Sequence, residues 1–252
     1  MSIYKTIQAS ILKGEKLLAV LIDPDKFIFE NTKSFIEKVN VSIATHIFVG
    51  GSSVEEYKTD ILVNEIKKFT DLPIVLFPGD VCQISDKADA LLFLSLLSGR
   101  NAEYLIGKHV KAISKLKQTN LEIISTGYLL IESEQETAVE KVTQTKPISR
   151  NNIQNIVDTA KAGELLGMKL IYLEAGSGAK TPLNPEIIEA VKKELHIPLI
   201  VGGGIRTKKQ LENAYRSGAD VVVIGTAFED DELFFDELKS PLSVGHFPKG
   251  EK

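Results

Sequence analysis

The 252-residue chain has one cysteine, Cys82. No intrachain disulfide can form, so the expected setting is a reducing, cytoplasmic one. A long basic run is also missing, and the formal net charge is −4, which argues against nucleic acid as a partner. The longest apolar runs, LLAVLI and LLFLSLL, fall far short of the roughly 20 residues that cross a bilayer. Membrane contact is therefore expected to be peripheral at most. The opening MSIYKTIQASILKGEK has neither the apolar core nor the cleavage site of a signal peptide. No linker or low-complexity stretch divides the chain, which predicts one domain over residues 1–252.

What is present is a repeated pattern. Eight short runs rich in Val, Ile and Leu end in Gly, Pro, Asp or Ser: LLAVLID, HIFVGGS, PIVLFPG, ALLFLSLLSG, EIISTGYLLI, KLIYLEAGSG, PLIVGGGI and VVVIGTA. Continuous apolar strands are buried on both faces, as in a parallel sheet covered by helices. Between them apolar residues recur at helical spacing, as at Ile153, Ile156, Val157 and Ala160, then at Leu211, Ala214 and Tyr215. Asn184-Pro185-Glu186 reads as a helix start, and Ser53 with Glu56 as a capping box. The reading is a single (β/α)₈ TIM barrel, a fold that typically needs about 250 residues, with a short N-terminal helix over residues 2–13.

Two departures from regularity stand out. Only VCQISDKADA separates the third and fourth runs, too little for the usual crossover helix. The third helix is expected to be missing or irregular, leaving either a plain short connection or a groove for a long apolar ligand beside Leu92, Leu94 and Leu96. The segment ESEQETAVEKVTQTKPISR after the fifth run is long enough to serve as a lid.

On this fold chemistry sits at the C-terminal ends of the strands. The three glycines of LIVGGGIRT and the later VVVIGTAF are strand-then-glycine loops suited to a phosphate, since bare backbone N–H groups can approach it closely. Asp23 and Ser52 offer oxygen ligands of the kind magnesium takes, completed by a substrate diphosphate. Asp23 and Asp25 also suit a turn around Pro24, and Ser53 a helix cap. Glu174, inside LIYLEAGSG, would be partly buried and would need a partner; Tyr172 beside it also suits a core. A diphosphate site and a monophosphate site with a carboxylate between them suggest group transfer.

As a set, LIDPDK, VGGS, YLEAGSGA, VGGGIRT and VIGTAF resemble the geranylgeranylglyceryl phosphate synthase family, which includes the heptaprenylglyceryl phosphate synthases. The resemblance implies transfer of a polyprenyl group to the 3-hydroxyl of sn-glycerol 1-phosphate, giving an ether lipid precursor and diphosphate. It implies Asp23 and Ser52 as ligands of Mg²⁺. It implies Tyr172, Leu173, Glu174, Ala175, Gly176, Ser177, Gly178, Gly203, Gly204, Gly225 and Thr226 as the site for sn-glycerol 1-phosphate. Glu174 matches the catalytic carboxylate, and Tyr172 is expected to help orient either Glu174 or the glycerol. Relatives with a lysine two positions before the strand-1 aspartate differ from this chain, which has Leu21 there; this resembles the longer, archaeal-type branch and implies geranylgeranyl as the donor. A homo-oligomer, dimer or hexamer, is implied as well. The competing readings are a sugar-phosphate isomerase barrel, a flavin-dependent oxidoreductase and a non-catalytic phosphate-ligand binder. An isomerase commonly has an acid on the fifth strand, where STGYLLI has none.

Overall fold

Eight parallel strands close into a barrel in chain order in this computed structural model, which describes residues 2–230 and 234–239. Residues 240–252, counted in the expected domain, lie outside the described residues. The strands are β1 Leu17–Ile22, β2 His46–Val49, β3 Ile74–Leu76, β4 Ala90–Leu96, β5 Glu122–Leu130, β6 Leu170–Glu174, β7 Leu199–Gly202 and β8 Val221–Ile224. Each lies within one of the eight apolar runs. The helices are α1 Ile3–Leu12, α2 Thr32–Val41, α3 Lys58–Ile66, α4 Lys108–Leu116, α5 Ala138–Thr143, α6 Ile153–Leu165, α7 Pro185–Glu194, α8 Lys208–Arg216, α9 Thr226–Asp230 and α10 Phe234–Glu237.

Side chains alternate between two cores, as the two-residue period of a strand requires. One face of each strand, including Ala19, Phe48, Leu92, Tyr172 and Val223, fills the barrel interior. The other face, including Val20, Ile47, Leu91, Leu173 and Val222, packs under the helices. Helix α1 plugs the N-terminal end with Ile7. It is fastened there by the Glu122 carboxylate, which accepts from the Ser2 hydroxyl at 2.6 Å and the Tyr4 N–H at 3.1 Å.

No third helix follows β3; a single 3₁₀ turn, Val81–Gln83, fills the connection. β3 pairs with β4 only at Val75↔Ala90 and Leu76↔Leu91, whereas β4 pairs with β5 along its whole length. Residues 92–96 of β4 therefore overhang their shorter neighbour, and a cleft opens there. The helix start agrees with the sequence at Pro185, in the first turn of α7, and Thr207 forms a capping box with Gln210 at the start of α8. The expected Ser53–Glu56 capping box does not form. Helix α3 begins later, and its cap residue Tyr57 has φ of 70° and makes no side-chain capping bond. The intervening residues are held instead by Asp25, which accepts from the Glu55 N–H at 3.3 Å and pairs with Lys58 at 3.1 Å.

The end of the barrel opposite the site is pinned by Asp220, buried at 3% exposure. Its carboxylate accepts from the Leu199 N–H at 2.8 Å and from Lys192 Nζ at 2.6 Å. Asp220→Ala would leave the buried Leu199 N–H unmatched while Lys192 turns to solvent, and unfolding in denaturant should show a loss of about 1–3 kcal/mol. An unchanged midpoint would contradict this role.

Candidate active site

The C-terminal ends of β1, β2 and β6–β8 surround one open cavity at the barrel mouth. Asp23, Ser52, Tyr172, Glu174, Ser177, Gly178, Gly203, Gly204, Gly225 and Thr226 all line it. Three residues of the expected acceptor stretch behave differently. Leu173 and Ala175 are fully buried, with side chains in the outer core, because strand alternation turns them away from the mouth. Gly176 lies behind the wall, where its N–H donates to Glu174 Oε1 at 2.7 Å.

Glu174 is the chemical centre of the cavity. Burial raises its carboxyl pKa to about 7; the Gly176 N–H and the Tyr172 hydroxyl act in the opposite direction. Tyr172 is itself buried, and burial together with the neighbouring Glu174 pushes its hydroxyl well above the usual tyrosine value, so it remains a donor. Phe77 stacks on Tyr172 at 5.1 Å, with Tyr128 at 5.3 Å from the same ring. This aromatic group separates the carboxylate from the barrel interior. A carboxyl that titrates near neutrality at the rim of a cavity suits a general base.

The glycine loop fits around this carboxylate. A side chain on Gly202 would collide with the Tyr172 hydroxyl, and one on Gly203 with Glu174 Oε1. Gly203 and Gly204 also have φ of 85° and 71°, which side chains disfavour. Thr207 caps α8 just beyond, and α9 begins at Thr226. Backbone N–H groups at such starts suit a small phosphate.

Across the mouth, Asp23 lies against Gly51, where a Cβ would come within 2.8 Å of Asp23 Oδ1. Asp23 also forms the turn that its neighbourhood suggested, accepting from the Asp25 N–H at 3.1 Å, and it pairs with Lys26 at 3.4 Å. Among the described residues no group of three or more His, Cys, Asp or Glu side chains is placed to hold a metal. The Asp23 carboxylate and the Ser52 hydroxyl, both on the wall of this cavity, are an all-oxygen, incomplete set. That suits Mg²⁺, which keeps waters and takes phosphate oxygens. Gln83, 1% exposed, holds this wall in place. Its Oε1 accepts from the Gly51 N–H at 3.2 Å and the Gly79 N–H at 3.3 Å, and its Nε2 donates to the Gly51 carbonyl at 2.8 Å.

A second, apolar cavity occupies the cleft left by the absent helix. It takes Leu92, Leu94 and Leu96, as expected, together with the outward-facing Leu91 and Phe93 and with Ile84 and Ala112. Gly51, Ser52, Phe77, Tyr128 and Val139 line both cavities, so the two meet there. Sequence reading missed Gln83, Phe77 and Tyr128. A glutamine in a shortened crossover, and aromatic residues at the ends of the third and fifth runs, were the available signals. The long segment after β5 contributes α5, whose Val139, Val142 and Thr143 cover the apolar cavity.

Residues 10–241 match the PcrB family. A geranylgeranylglyceryl phosphate synthase of Flavobacterium johnsoniae is 56% identical over 238 residues, covering 93% of this chain and 98% of that protein. One of Thermococcus gammatolerans is 43% identical, covering 86% of each. The crystal structure of (S)-3-O-geranylgeranylglyceryl phosphate synthase from Thermoplasma acidophilum, in complex with its substrate sn-glycerol-1-phosphate, superposes with a TM-score of 0.89 at 32% identity. It covers 95% of this chain and 96% of that one.

The Glu174 environment makes stability depend on pH. Its folded pKa of about 7 lies above the ordinary value of 4.5, so the folded state holds the proton more tightly. Its stabilising contribution is complete below pH 4.5 and is lost as pH rises through about 7. The shift corresponds to roughly 3 kcal/mol. Glu174→Gln should remove that slope, read as the wild-type minus variant unfolding free energy across the range. Parallel curves would show that the carboxyl is not desolvated.

Proposed function

The chain belongs to the PcrB family, and on that footing we propose that it joins a polyprenyl diphosphate to the 3-hydroxyl of sn-glycerol 1-phosphate. It is a prenyltransferase of the geranylgeranylglyceryl phosphate synthase type. The observation that carries the reading is the junction of the two cavities. A polar chamber containing Glu174 and the glycine loops opens at Gly51, Ser52, Phe77 and Tyr128 into an apolar cleft. An acceptor that is all headgroup fits the first, and a donor with a long hydrocarbon tail fits the second.

The acceptor phosphate lies against Gly203, Gly204, Gly225 and Thr226, with Ser177 and Gly178 opposite. Its 3-hydroxyl points to Glu174. The donor tail runs along Leu94, Phe93 and Leu91, which brings its diphosphate to Ser52 and Asp23. Asp23 and Ser52 would hold Mg²⁺, which when bound offsets the charge of the diphosphate. The acceptor oxygen bonds to the allylic carbon as the bond to the diphosphate oxygen breaks and its electron pair leaves with diphosphate. Glu174 takes the hydroxyl proton, and the Tyr172 hydroxyl steadies the carboxylate that receives it. Holding both reactants in line could supply up to about 7–11 kcal/mol of the barrier. Phe77 and Tyr128 keep water from the reacting carbon.

Geranylgeranyl as the donor, a homo-oligomeric assembly (dimer or hexamer) and a cytoplasmic setting complete the reading. The exposed Ile106, Val110 and Ile113 on and just before α4 support an assembly. None of the described helices is long and apolar enough to cross a membrane.

Incubation with Mg²⁺, sn-glycerol 1-phosphate and prenyl diphosphates of several lengths should give the ether product by mass spectrometry, with sn-glycerol 3-phosphate as the stereochemical control. No product with any donor would overturn the reading. Glu174→Gln and Asp23→Asn should each lower kcat at least about 100-fold, and near-normal turnover in either would remove that residue from its role. Leu94→Trp should narrow the cleft and shift preference to shorter donors by about 10-fold or more. An unchanged product-length profile would mean that the tail lies elsewhere.

A further inference from the structure

Between β5 and α6 runs a segment, residues 131–152, that touches both cavities. On the donor side α5 lies over the apolar cleft. It is held there by the Tyr104 hydroxyl, which donates to the Val142 carbonyl at 3.1 Å, and by Asn101 Nδ2, which donates to the Thr143 carbonyl at 2.9 Å. On the acceptor side the same segment is fastened to the loop after β6 at three places. The Thr137 methyl group rests on Gly176, the residue whose N–H holds Glu174. The Glu134 carboxylate bonds the Thr181 hydroxyl. The third fastening is Arg150. Its Nη1 donates to the Pro182 carbonyl at 3.0 Å, its Nη2 to the Thr181 carbonyl at 3.2 Å and its Nε to the Glu132 carbonyl at 2.5 Å.

The two loop carbonyls are not arbitrary partners. Thr181 and Pro182 form the backbone on which Gly204 packs; a Cβ there would lie 2.6 Å from the Thr181 carbonyl carbon. Gly204 is in turn a wall of the polar chamber. Arg150 lines neither cavity, so it acts on the chamber through the backbone it holds, this loop and its own segment at Glu132. One planar guanidinium spans three carbonyls on two strands of backbone, which a lysine ammonium cannot reproduce.

We propose that Arg150 is a positioning residue: it fixes the loop behind Gly204 and ties it to the cover of the donor cleft, so that acceptor and donor bind with mutual reinforcement. The identity of the two ligands rests on the prenyl-transfer reading; the clamp itself rests on the bonds above. Ordering the loop around the acceptor orders residues 131–152, and these bring α5 onto the donor tail. By linkage the effect runs equally in both directions.

The test is calorimetric binding of sn-glycerol 1-phosphate to the wild type, Arg150→Ala and Arg150→Lys, each with and without a non-reactive geranylgeranyl thiolodiphosphate. In the wild type the donor analogue should tighten acceptor binding about 5-fold or more. In Arg150→Ala acceptor affinity should fall about 10–100-fold and the tightening should vanish. The donor analogue alone should still bind within about 2-fold of wild type, because Tyr104 and Asn101 hold α5 over the cleft without Arg150. Steady-state KM for the acceptor should rise more than kcat falls. Arg150→Lys should recover part of the affinity through one carbonyl but not the coupling, and it serves as the reading if thermal melting shows Arg150→Ala unfolded. Wild-type acceptor affinity or retained coupling in a folded variant overturns the proposal alone. A wild type that binds the donor analogue but not sn-glycerol 1-phosphate overturns the prenyl-transfer reading and the proposal with it.

Discussion

A carboxylate taken out of water sets the terms for this mouth. Glu174 is 6% exposed at the end of β6, and leaving an ionised carboxyl there unpaired would be costly. The surrounding structure answers that cost only in part. The Gly176 N–H and the Tyr172 hydroxyl bond the carboxylate, but burial still dominates and its pKa sits at about 7. The compromise is chemically useful, because the group is neither permanently charged nor permanently neutral near physiological pH. The bare backbone at Gly202 and Gly203 follows from the same constraint, since side chains there would occupy the space of Tyr172 and Glu174.

The second organising fact is the helix that is not there. In a regular barrel every strand is covered on its outer face. Here β3 is short, β4 overhangs it, and one 3₁₀ turn replaces the crossover helix. The cleft that results joins the mouth at the residues the two cavities share. Gln83 belongs to that turn and braces the loop carrying Ser52 through Gly51. The segment that opens the cleft therefore also steadies the wall beside the donor headgroup, and α5 covers it from the far side.

Much of this was legible in the residues. The eight strands fall within the eight apolar runs because strands buried on both faces must be apolar throughout, and such runs are easy to find. Ten of the mouth residues were legible because strand ends on this fold converge on one face. Leu173 and Ala175, implied as acceptor-site residues by the resemblance, have their side chains in the outer core, because a contiguous motif hides the alternation of side chains along a strand. The Ser53–Glu56 box failed because Asp25 and Lys58 hold that loop, a contact between distant residues that outweighs local capping. Arg150 carried no signal, since its partners are backbone carbonyls and any residue could supply them.

Sequence by itself determined the barrel, the gap after the third strand and the residue types facing the mouth, because burial and chain length act locally and leave a pattern. Only the tertiary structure decided that Glu174 is desolvated enough to titrate near neutrality, and that a polar chamber and an apolar cleft share one wall. Only it decided, too, that residues 131–152 reach both. Those facts depend on distances between segments that the chain brings together when the eighth strand closes on the first, and no local pattern encodes them.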